Sequence, residues 1–435
     1  MNNYKEVVEF LFEQYPSYQK KGVDAYKPDL SNIHGICKII GNPQNKLKFI
    51  HVAGTNGKGS VCNFLFNIYQ NTGYKVGLFT SPHLIDFRER ILVGEKEISK
   101  EKSKKEFTKK CLFSSGLWTS FLTRPYSKIP DSQSEPSSIF ITAMDTEPLS
   151  PNADIIIMND QTAFEEGVKR ISLLTNGNVF ICKKENSEIR VNGFDTYEFA
   201  GPHPAGLSGT HMHFLDPPNA NKTVWSINYQ DVIAIGKLFL NGYIDINRTV
   251  SISGPLSSNP RLVKTVMGAS LDDILEGEYN KVEDSRIISG SILSGFHASG
   301  DMAYLGKYSR QITIIKEDKE KHFFGWIKPQ PNKYSVMPVL LSAFSFFKLF
   351  NLTSNLNGGR RAMVPTGVFE SLMPQDFLPT QLLRSLLVMD TDVAQSLGAL
   401  ELDEEDIALC TFACPAKYEY GTALRDSLTK IEKEG

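Results

Sequence analysis

The sequence predicts an α/β fold built from two unlike pieces: a partial P-loop βαβ fragment, then a doubly wound α/β domain with a helical C-terminal region. The first observation is the order strand, glycine-rich turn, helix and strand between residues 48 and 80. The second is the alternation of β-rich runs with an amphipathic helix between residues 139 and 182, which is typical of a doubly wound sheet. The third is a helix-rich stretch at residues 362–409.

Composition places the chain among globular proteins. Its 435 residues are 41% hydrophobic and 22% charged, and a net charge of −2 provides no basic field for nucleic acid. No run of about 18 uncharged apolar residues is present, so we expect no membrane span, and the N-terminus lacks a signal-peptide pattern. Six sparse cysteines favour a reducing compartment: Cys37, Cys62, Cys111, Cys182, Cys410 and Cys414.

The first piece contains a turn suited to binding phosphate. An apolar run, Lys48–Val52, predicts a buried strand, and Gly54-Thr-Asn-Gly-Lys-Gly-Ser60 follows it, before a helix at 61–70 and a strand at 75–80. The glycines free the backbone so that N–H groups can face an anion at the positive end of the helix. Lys58 is placed to reach the outer phosphates of a nucleotide.

The match to a Walker loop is incomplete. The Ser60 hydroxyl is placed to ligate magnesium, but Val52 stands where the strict spacing needs glycine, and Gly59 where it needs serine or threonine. A plain glycine-rich turn with an exposed lysine therefore stays the alternative.

Three motifs give this piece a family resemblance: His51-Val-Ala-Gly-Thr-Asn-Gly-Lys-Gly-Ser60, Phe79-Thr-Ser-Pro-His-Leu84 and Arg88-Glu-Arg90. Residues 1–102 resemble the N-terminal ATP-binding part of folylpolyglutamate synthase/dihydrofolate synthase. The resemblance implies a nucleotide site at Asn56, Gly57, Lys58, Gly59 and Ser60, with Ser60 on magnesium, and a folate loop at Ser81, Pro82 and His83. The other ligands and the C-terminal domain of such ligases do not follow Glu101, so we expect residual Mg-ATP binding at 54–60 without ligase activity.

The second piece has the pattern of a larger α/β protein. A charge-dense stretch, Glu95–Lys110, suits a linker or a solvated helix before it. Hydrophobic periodicity predicts strands at Ile139–Met144, Ile155–Met158 and Val179–Cys182, and helices at Thr162–Leu174, Ala269–Leu275, Pro379–Val388 and Thr391–Leu400. The last two helices are expected to form a packed pair.

A second family resemblance covers residues 103–435. It rests on motifs that include Ser115-Gly-Leu-Trp118, Arg124-Pro-Tyr-Ser-Lys128, Phe140-Ile-Thr-Ala-Met-Asp-Thr146, Gly201-Pro-His-Pro-Ala-Gly206, Gly209-Thr-His-Met-His-Phe-Leu215 and Lys417-Tyr-Glu-Tyr-Gly421. This part resembles the A subunit of the sodium-translocating NADH:quinone reductase. The resemblance implies a Rossmann-like α/β domain at 103–245, a β-grasp (SLBB-like) module at 246–305 and a mixed, helical region at 306–435, after the ligase-like fragment at 1–102.

The same resemblance implies a role. Such a protein is cytoplasmic, lies on the inner face of the cell membrane, and partners with the other subunits, especially the membrane-embedded one that holds the quinone site. NADH, flavin and iron are bound by other subunits, and no catalytic centre or cofactor of its own is expected. An ATP-dependent folate ligase fragment with an appended tail is the alternative, and a join without biological function is a third possibility.

Several side chains in the second piece are candidates for chemistry. His203, His211 and His213 crowd one Gly/Pro-rich segment; a zinc site, a loop facing quinone or a partner, and ordinary packing are the alternatives. Glu401-Leu-Asp-Glu-Glu-Asp406 is expected to be a solvated helix terminus rather than a calcium loop.

Two further segments carry apolar or sulfur side chains. Cys410-Thr-Phe-Ala-Cys414-Pro415 has the spacing that ends a ferredoxin-like run, but the preceding Cys-x2-Cys pair is missing, so no iron–sulfur cluster is expected. The aromatic stretch Tyr334–Phe350 is either core or a face that docks on a membrane-embedded partner.

Overall fold

The computed structural model describes residues 48–54, 57–74, 76–79, 91–93, 104–279, 284–320, 329–331, 333–336, 340–344 and 350–434. The chain divides into two compact units, Met1–Lys100 and Glu101–Gly435. The larger unit contains two five-stranded sheets and a cluster of helices near the C-terminus.

The described part of the smaller unit contains one helix and one pair of antiparallel strands. Helix α1 spans Lys58–Asn71, and the strands Gly77–Phe79 (β1) and Ile91–Val93 (β2) pair antiparallel. The helix predicted at 61–70 is confirmed, and the strand predicted at 75–80 is confirmed as the shorter β1.

The strand predicted for Lys48–Val52 is wrong. These residues form no strand, and the side chains of Phe49 and Ile50 are 69% and 59% exposed. An apolar run becomes a buried strand only where a neighbouring strand and a covering layer receive it, and the described residues of this unit supply neither. The described residues therefore contain no parallel βαβ unit of the predicted kind.

The central sheet of the larger unit has the strand order β3-β7-β4-β5-β6. Strand β3 is an antiparallel edge, whereas the other four strands run parallel to each other. In register, Ile141 of β4 lies opposite Ile181 of β5 and Ile227 of β7. The strands are Leu122–Arg124 (β3), Ile139–Ala143 (β4), Val179–Lys184 (β5), Thr196–Phe199 (β6) and Val224–Asn228 (β7).

Helices cover both faces of this sheet, as a doubly wound fold requires. One face packs a large core around Phe164 and Trp225, and the other packs Phe140 and Phe180 against Met212. The helices are Lys104–Ser115 (α2), Ala153–Asn159 (α3), Gln161–Ile171 (α4), Ser208–Leu215 (α5) and Tyr229–Asn241 (α6).

Helices α4 and α6 approach each other closely because glycines face the contact. A Cβ atom on Gly236 would lie 1.7 Å from the carbonyl oxygen of Ala163, and one on Gly167 would lie 2.1 Å from that of Val232. No larger residue fits at either position without moving the helices apart.

The strand predicted for Ile155–Met158 is instead part of helix α3. The Asn152 side chain caps that helix by accepting a hydrogen bond from the Asp154 backbone N–H at 3.0 Å. Ile156 and Ile157 are buried, whereas Ile155 and Met158 are about half exposed. Four apolar residues in a row fit a strand and a helix equally well, and the cap decides here.

The second sheet forms a small separate core. Its order is β11-β10-β12-β8-β9, and β12 pairs parallel with β8 in a sheet that is otherwise antiparallel. Val250, Ile252, Ile312 and Ile314 pack beneath helix α7, which is only the Leu271–Ile274 part of the predicted 269–275. The strands are Asn247–Ser253 (β8), Arg261–Val266 (β9), Ser285–Ser289 (β10), Phe296–His297 (β11) and Gln311–Lys316 (β12).

The C-terminal helices pack into a third core around Leu382, Ile407 and Leu424. The predicted pair at 379–388 and 391–400 is confirmed, although its second helix ends at Ser396. The helices are Pro379–Leu387 (α8), Thr391–Ser396 (α9), Glu404–Ala413 (α10) and Tyr420–Glu434 (α11). Short 3-10 turns lie at Leu117–Ser120, Ser172–Leu174, Gly300–Met302, Leu341–Phe344, Phe369–Ser371 and Ala399–Glu401.

Candidate functional site at the carboxyl edge of the central sheet

The carboxyl ends of β4 and β7 lie side by side in the sheet. At this point the strand order switches, because the strands after β4 are added first on one side of it and later on the other. From β4 the chain passes through α3 and α4 to β5 on one side, whereas β7 is added later on the other side. Open α/β sheets place their ligand or partner sites at such a switch point. Here the segment after β4, residues 145–149, supplies the polar side chains.

Asp145 joins this edge to the second sheet. Its Oδ2 accepts a hydrogen bond from Arg310 Nε at 2.7 Å, and its Oδ1 accepts one from the Glu147 backbone N–H at 2.9 Å. The Asp145 side chain is only 2% exposed. Burial alone would lower the pKa of the Arg310 guanidinium, but the acidic groups around it, above all the Asp145 carboxylate, together outweigh burial and raise it. Arg310 therefore stays charged and holds the two sheets together.

Glu147 is the second acid at this edge. Ser294, from the loop after β10, donates a hydrogen bond to its Oε1. Burial, and then the negative charge of Asp145, raise the pKa of Glu147. At the same edge, Met144, Asp145, residues 150–154 and Lys184 line a small cavity of about 220 Å³.

Of the three candidate histidines, only His203 lies at this edge. Its Nδ1 is 3.4 Å from Thr146 Oγ1, which also accepts a hydrogen bond from the Gly206 backbone N–H at 2.8 Å. Its Nε2 is buried and has no hydrogen-bond partner among the described residues. Burial lowers the pKa of His203, so its ring is neutral near pH 7.

His211 and His213 lie on helix α5, and the strand geometry considered for a zinc pair is not present. Residues two apart on a helix point to nearly opposite sides. His211 is fully buried, its Nε2 donates to the Ala205 carbonyl oxygen at 3.0 Å, and burial lowers its pKa to about 4. His213 bonds through Nδ1 to Glu401 at 2.9 Å and accepts from the Asp376 N–H through Nε2 at 3.1 Å.

The described residues contain no group of three side chains that could hold a metal ion. His211 and His213 instead have packing roles: the first fills the core beneath α5, and the second joins α5 to the C-terminal helices. The zinc alternative thus has no geometric support within the described part of the chain.

The acidic stretch Glu401–Asp406 is not the solvated terminus that the sequence suggested. Asp403 and Asp406 are buried and pair with Arg124 at the end of β3, at 2.9 and 3.4 Å. Arg425 of α11 binds Asp403 from the other side at 3.0 Å. The sequence analysis missed this ion-pair network because its partners lie far apart in the chain; a lone arginine after an apolar strand was the available signal.

The network also gives the two carboxyl groups, those of Asp403 and Asp406, different pKa values. Burial alone would raise the pKa of Asp403, but the charge of Arg124, together with the hydrogen bonds from Ser127 and Glu404, outweighs burial and holds that pKa well below its usual range. For Asp406 burial prevails over the attraction of Arg124 and raises the pKa to about 6. Asp403 therefore keeps its negative charge, whereas Asp406 takes up a proton in mild acid.

The predicted nucleotide loop lies partly within the described residues. Gly57 has φ +76° and caps helix α1, whose first turn is Lys58, Gly59 and Ser60. Lys58 Nζ donates to the Gly54 carbonyl oxygen at 2.5 Å, so this lysine bends back over its own loop. Asn56 and the predicted folate-loop residues Ser81, Pro82 and His83 lie outside the described residues.

The two C-terminal cysteines are buried in the helical core. Cys414 Sγ lies 3.1 Å from the Tyr420 hydroxyl, and burial raises the pKa of the Cys410 thiol to about 12. The Cys410 thiol is therefore protonated and unreactive at neutral pH. No helix of the described residues is long and apolar enough to cross a bilayer.

The larger unit has a central α/β sheet with a switch-point edge. Ion pairs with buried carboxylates join this sheet to a small mixed sheet and to a cluster of helices. These features define a multi-module α/β protein. Residues 103–244 match the family model of the NqrA second alpha/beta domain, and residues 249–300 match that of the NQRA C-terminal domain. The chain belongs to the NqrA family, the A subunits of Na+-translocating NADH-quinone reductases.

Two relatives document this membership. The chain is 54% identical over 327 residues to the A subunit of the Na+-translocating NADH-quinone reductase of Pasteurella multocida (strain Pm70), which is 74% of this chain and 73% of that protein. It is 54% identical over 333 residues to the protein of the same name from Vibrio alginolyticus, at 76% and 74% coverage. A crystal structure of an NAD+-reducing nickel–iron hydrogenase in the air-oxidized state aligns with a TM-score of 0.38 and 10% identity, covering 76% of this chain and 61% of that chain.

Proposed function

We propose that this protein is the peripheral NqrA component of a Na+-translocating NADH:quinone oxidoreductase and supports quinone reduction coupled to sodium export. The observation that carries the proposal is the 54% identity to such proteins over about three quarters of the chain. Its partners are the other subunits of that complex, above all the membrane-embedded subunit that holds the quinone site, and its location is the cytoplasmic face of the cell membrane. NADH, flavin and iron belong to other subunits.

The role we propose is to shape the surroundings of the quinone site rather than to carry electrons. The carboxyl edge, with His203, Glu147 and the Asp145–Arg310 pair, is the part of the chain that faces quinone or the partner subunit. His203 suits this role because its Nε2 has no hydrogen-bond partner among the described residues. His211 and His213 are engaged in packing and hydrogen bonds and are set aside as quinone-facing residues.

The test is reconstitution. A complex that lacks its own NqrA is mixed with this chain, and NADH-dependent quinone reduction and sodium uptake into vesicles are measured. We expect both activities to return with the natural chain and to fall with Asp145→Asn, which leaves the partly buried Arg310 without its carboxylate. Asp272→Asn, an exposed acid on α7, is the matched control and should leave both activities unchanged. A chain that fails to join the complex contradicts the proposal.

For residues 1–102 we propose a vestigial, ligase-like fragment that retains weak Mg-ATP binding at 54–60 and has no glutamate-ligase activity. The supporting observation is the left-handed Gly57 followed at once by the helix start at Lys58. Titration calorimetry with Mg-ATP should show weak binding that disappears with Lys58→Ala. ADP release that depends on folate and glutamate would contradict the absence of ligase activity.

We also propose the division 1–102, 103–245, 246–305 and 306–435 as domain limits. Limited proteolysis followed by mass spectrometry should give early cuts near residue 102.

The protein purified from cells should carry no stoichiometric iron or zinc, and elemental analysis that finds about one metal per chain would overturn this expectation.

A further inference from the structure

A cluster of cations and aromatic rings lies where three separate segments meet. The turn at 414–417 receives the 358–361 segment, because the Arg361 backbone N–H donates to the Ala416 carbonyl oxygen at 3.1 Å, and a Cβ on Gly358 would lie 3.6 Å from Lys417 Cε. The ring of Tyr334, next to Lys333, lies 5.6 Å from that of Phe412. We call Lys333, Tyr334, Arg361, Phe412 and Lys417 the basic–aromatic surface.

Within the described part of the chain, the three cations of the basic–aromatic surface form no ion pairs. No salt bridge among the described residues involves Lys333, Arg361 or Lys417. Burial, and then the positive charges of Arg361 and Lys333, lower the pKa of Lys417. Like charges are thus held close together, which costs free energy unless an anion neutralises them.

The aromatic rings of this surface are partly exposed to solvent. Tyr334 is 42% exposed and Phe412 is 37% exposed, although they pack against each other. Half-exposed rings beside unpaired cations are the composition of a surface that meets the headgroup level of a bilayer.

The surrounding sequence has the same composition. Residues 321–369 contain six lysines and arginines and no aspartate or glutamate, in a chain whose net charge is −2. Residues 321–350 alone contain eight aromatic side chains. No acidic residue of this stretch is therefore available to neutralise the basic–aromatic surface.

We propose that the basic–aromatic surface binds the anionic phospholipid headgroups of the membrane, so that this protein contacts lipid directly. An acidic protein partner fits less well, because protein interfaces interleave charges of both signs to fix one register, whereas this surface and its flanking sequence carry only one sign. Lysines and arginines beside an anionic bilayer add binding energy nearly independently of each other. This inference goes beyond the proposed role in the complex and does not depend on it, since lipid binding needs no other protein.

The test uses the full chain without other subunits. Sedimentation is measured with vesicles of phosphatidylcholine alone and with vesicles of phosphatidylcholine and phosphatidylglycerol. We expect binding to the anionic vesicles only. The triple variant Lys333→Gln, Arg361→Gln, Lys417→Gln should bind them about a hundredfold more weakly, since each cation contributes about fivefold.

The matched control removes three exposed lysines from other elements: Lys110→Gln on α2, Lys169→Gln on α4 and Lys264→Gln on β9. It changes the net charge equally and should weaken binding by less than about twofold. An equal loss in both variants, binding to neutral vesicles, or no binding to anionic vesicles overturns the proposal. So does a triple variant that keeps vesicle binding but no longer joins the other subunits, which would identify a protein-docking surface. Unchanged melting temperatures verify that both variants fold.

Discussion

Replacing Arg124 by methionine should destabilise the larger unit more than any single exposed substitution. The Arg124 side chain is 3% exposed and lies 2.9 Å from Asp403 and 3.4 Å from Asp406. At an effective dielectric constant of about 20, each pair is worth about 5 kcal/mol before desolvation. Because removal of the cation leaves the buried Asp406 uncompensated and Asp403 paired with Arg425 alone, we expect a net loss of about 3–5 kcal/mol in the free energy of unfolding.

The loss should depend on pH in a defined direction. With Arg124 present, the pKa of Asp406 is about 6, above its unfolded value of 3.8, so the folded state takes up a proton as pH falls through 6. Without Arg124 the carboxyl groups protonate at still higher pH, which relieves the uncompensated charge. The variant should therefore lose more stability at pH 8 than at pH 5.

Urea unfolding followed by circular dichroism at pH 8 and pH 5 measures both effects. The control is Lys128→Met, which removes an ion pair to Glu432 from a lysine that is 59% exposed and should cost less than about 1 kcal/mol. A loss from Arg124→Met no larger than from Lys128→Met, or equal losses at the two pH values, would refute the reasoning.

Three other substitutions test the buried His211, the close helix contact at Gly236 and the hydrogen bonds of His213. His211 has a folded pKa of about 4 against an ordinary 6.5, so on the order of 3 kcal/mol of stability should disappear as pH falls from about 6.5 to about 4, and His211→Gln should flatten that slope in pH-dependent unfolding. Gly236→Ala should cost about 1–3 kcal/mol or more, because the added methyl would overlap the Ala163 carbonyl, whereas Gly359→Ala, with open space around it, should leave the unfolding midpoint nearly unchanged. His213→Leu should cost about 1–3 kcal/mol in urea unfolding, since it leaves two hydrogen-bonding groups without their partner; an unchanged midpoint would contradict the hydrogen-bonding role of His213.

The sequence pattern correctly predicted those helices and strands that are determined by residues close together in the chain. The amphipathic spacing of Phe164, Val168 and Ile171 predicted α4, and the β-rich run at 139–144 predicted β4. The strand prediction for Ile155–Met158 was wrong because a short apolar run shows neither the helical nor the strand period. The strand prediction for Lys48–Val52 was wrong because a strand there needs a surrounding sheet.

The candidate site was harder to predict because its contacts join distant residues. Asp145 and Arg310 are separated by 165 positions, and Arg124 and Asp406 by 282. Neither partner has a sequence feature that identifies the other, and an acidic run at a helix start is ordinarily solvated. Only the packing of the three cores brings these charges together.

The charges of this protein therefore fall into two groups with different consequences. Between the packed cores, Arg124 and Arg310 form ion pairs with buried carboxylates, so added salt screens these pairs weakly. On the basic–aromatic surface, Lys333, Arg361 and Lys417 have no such partners among the described residues, and added salt screens them strongly. Added salt should therefore weaken the proposed lipid binding while it leaves the fold intact.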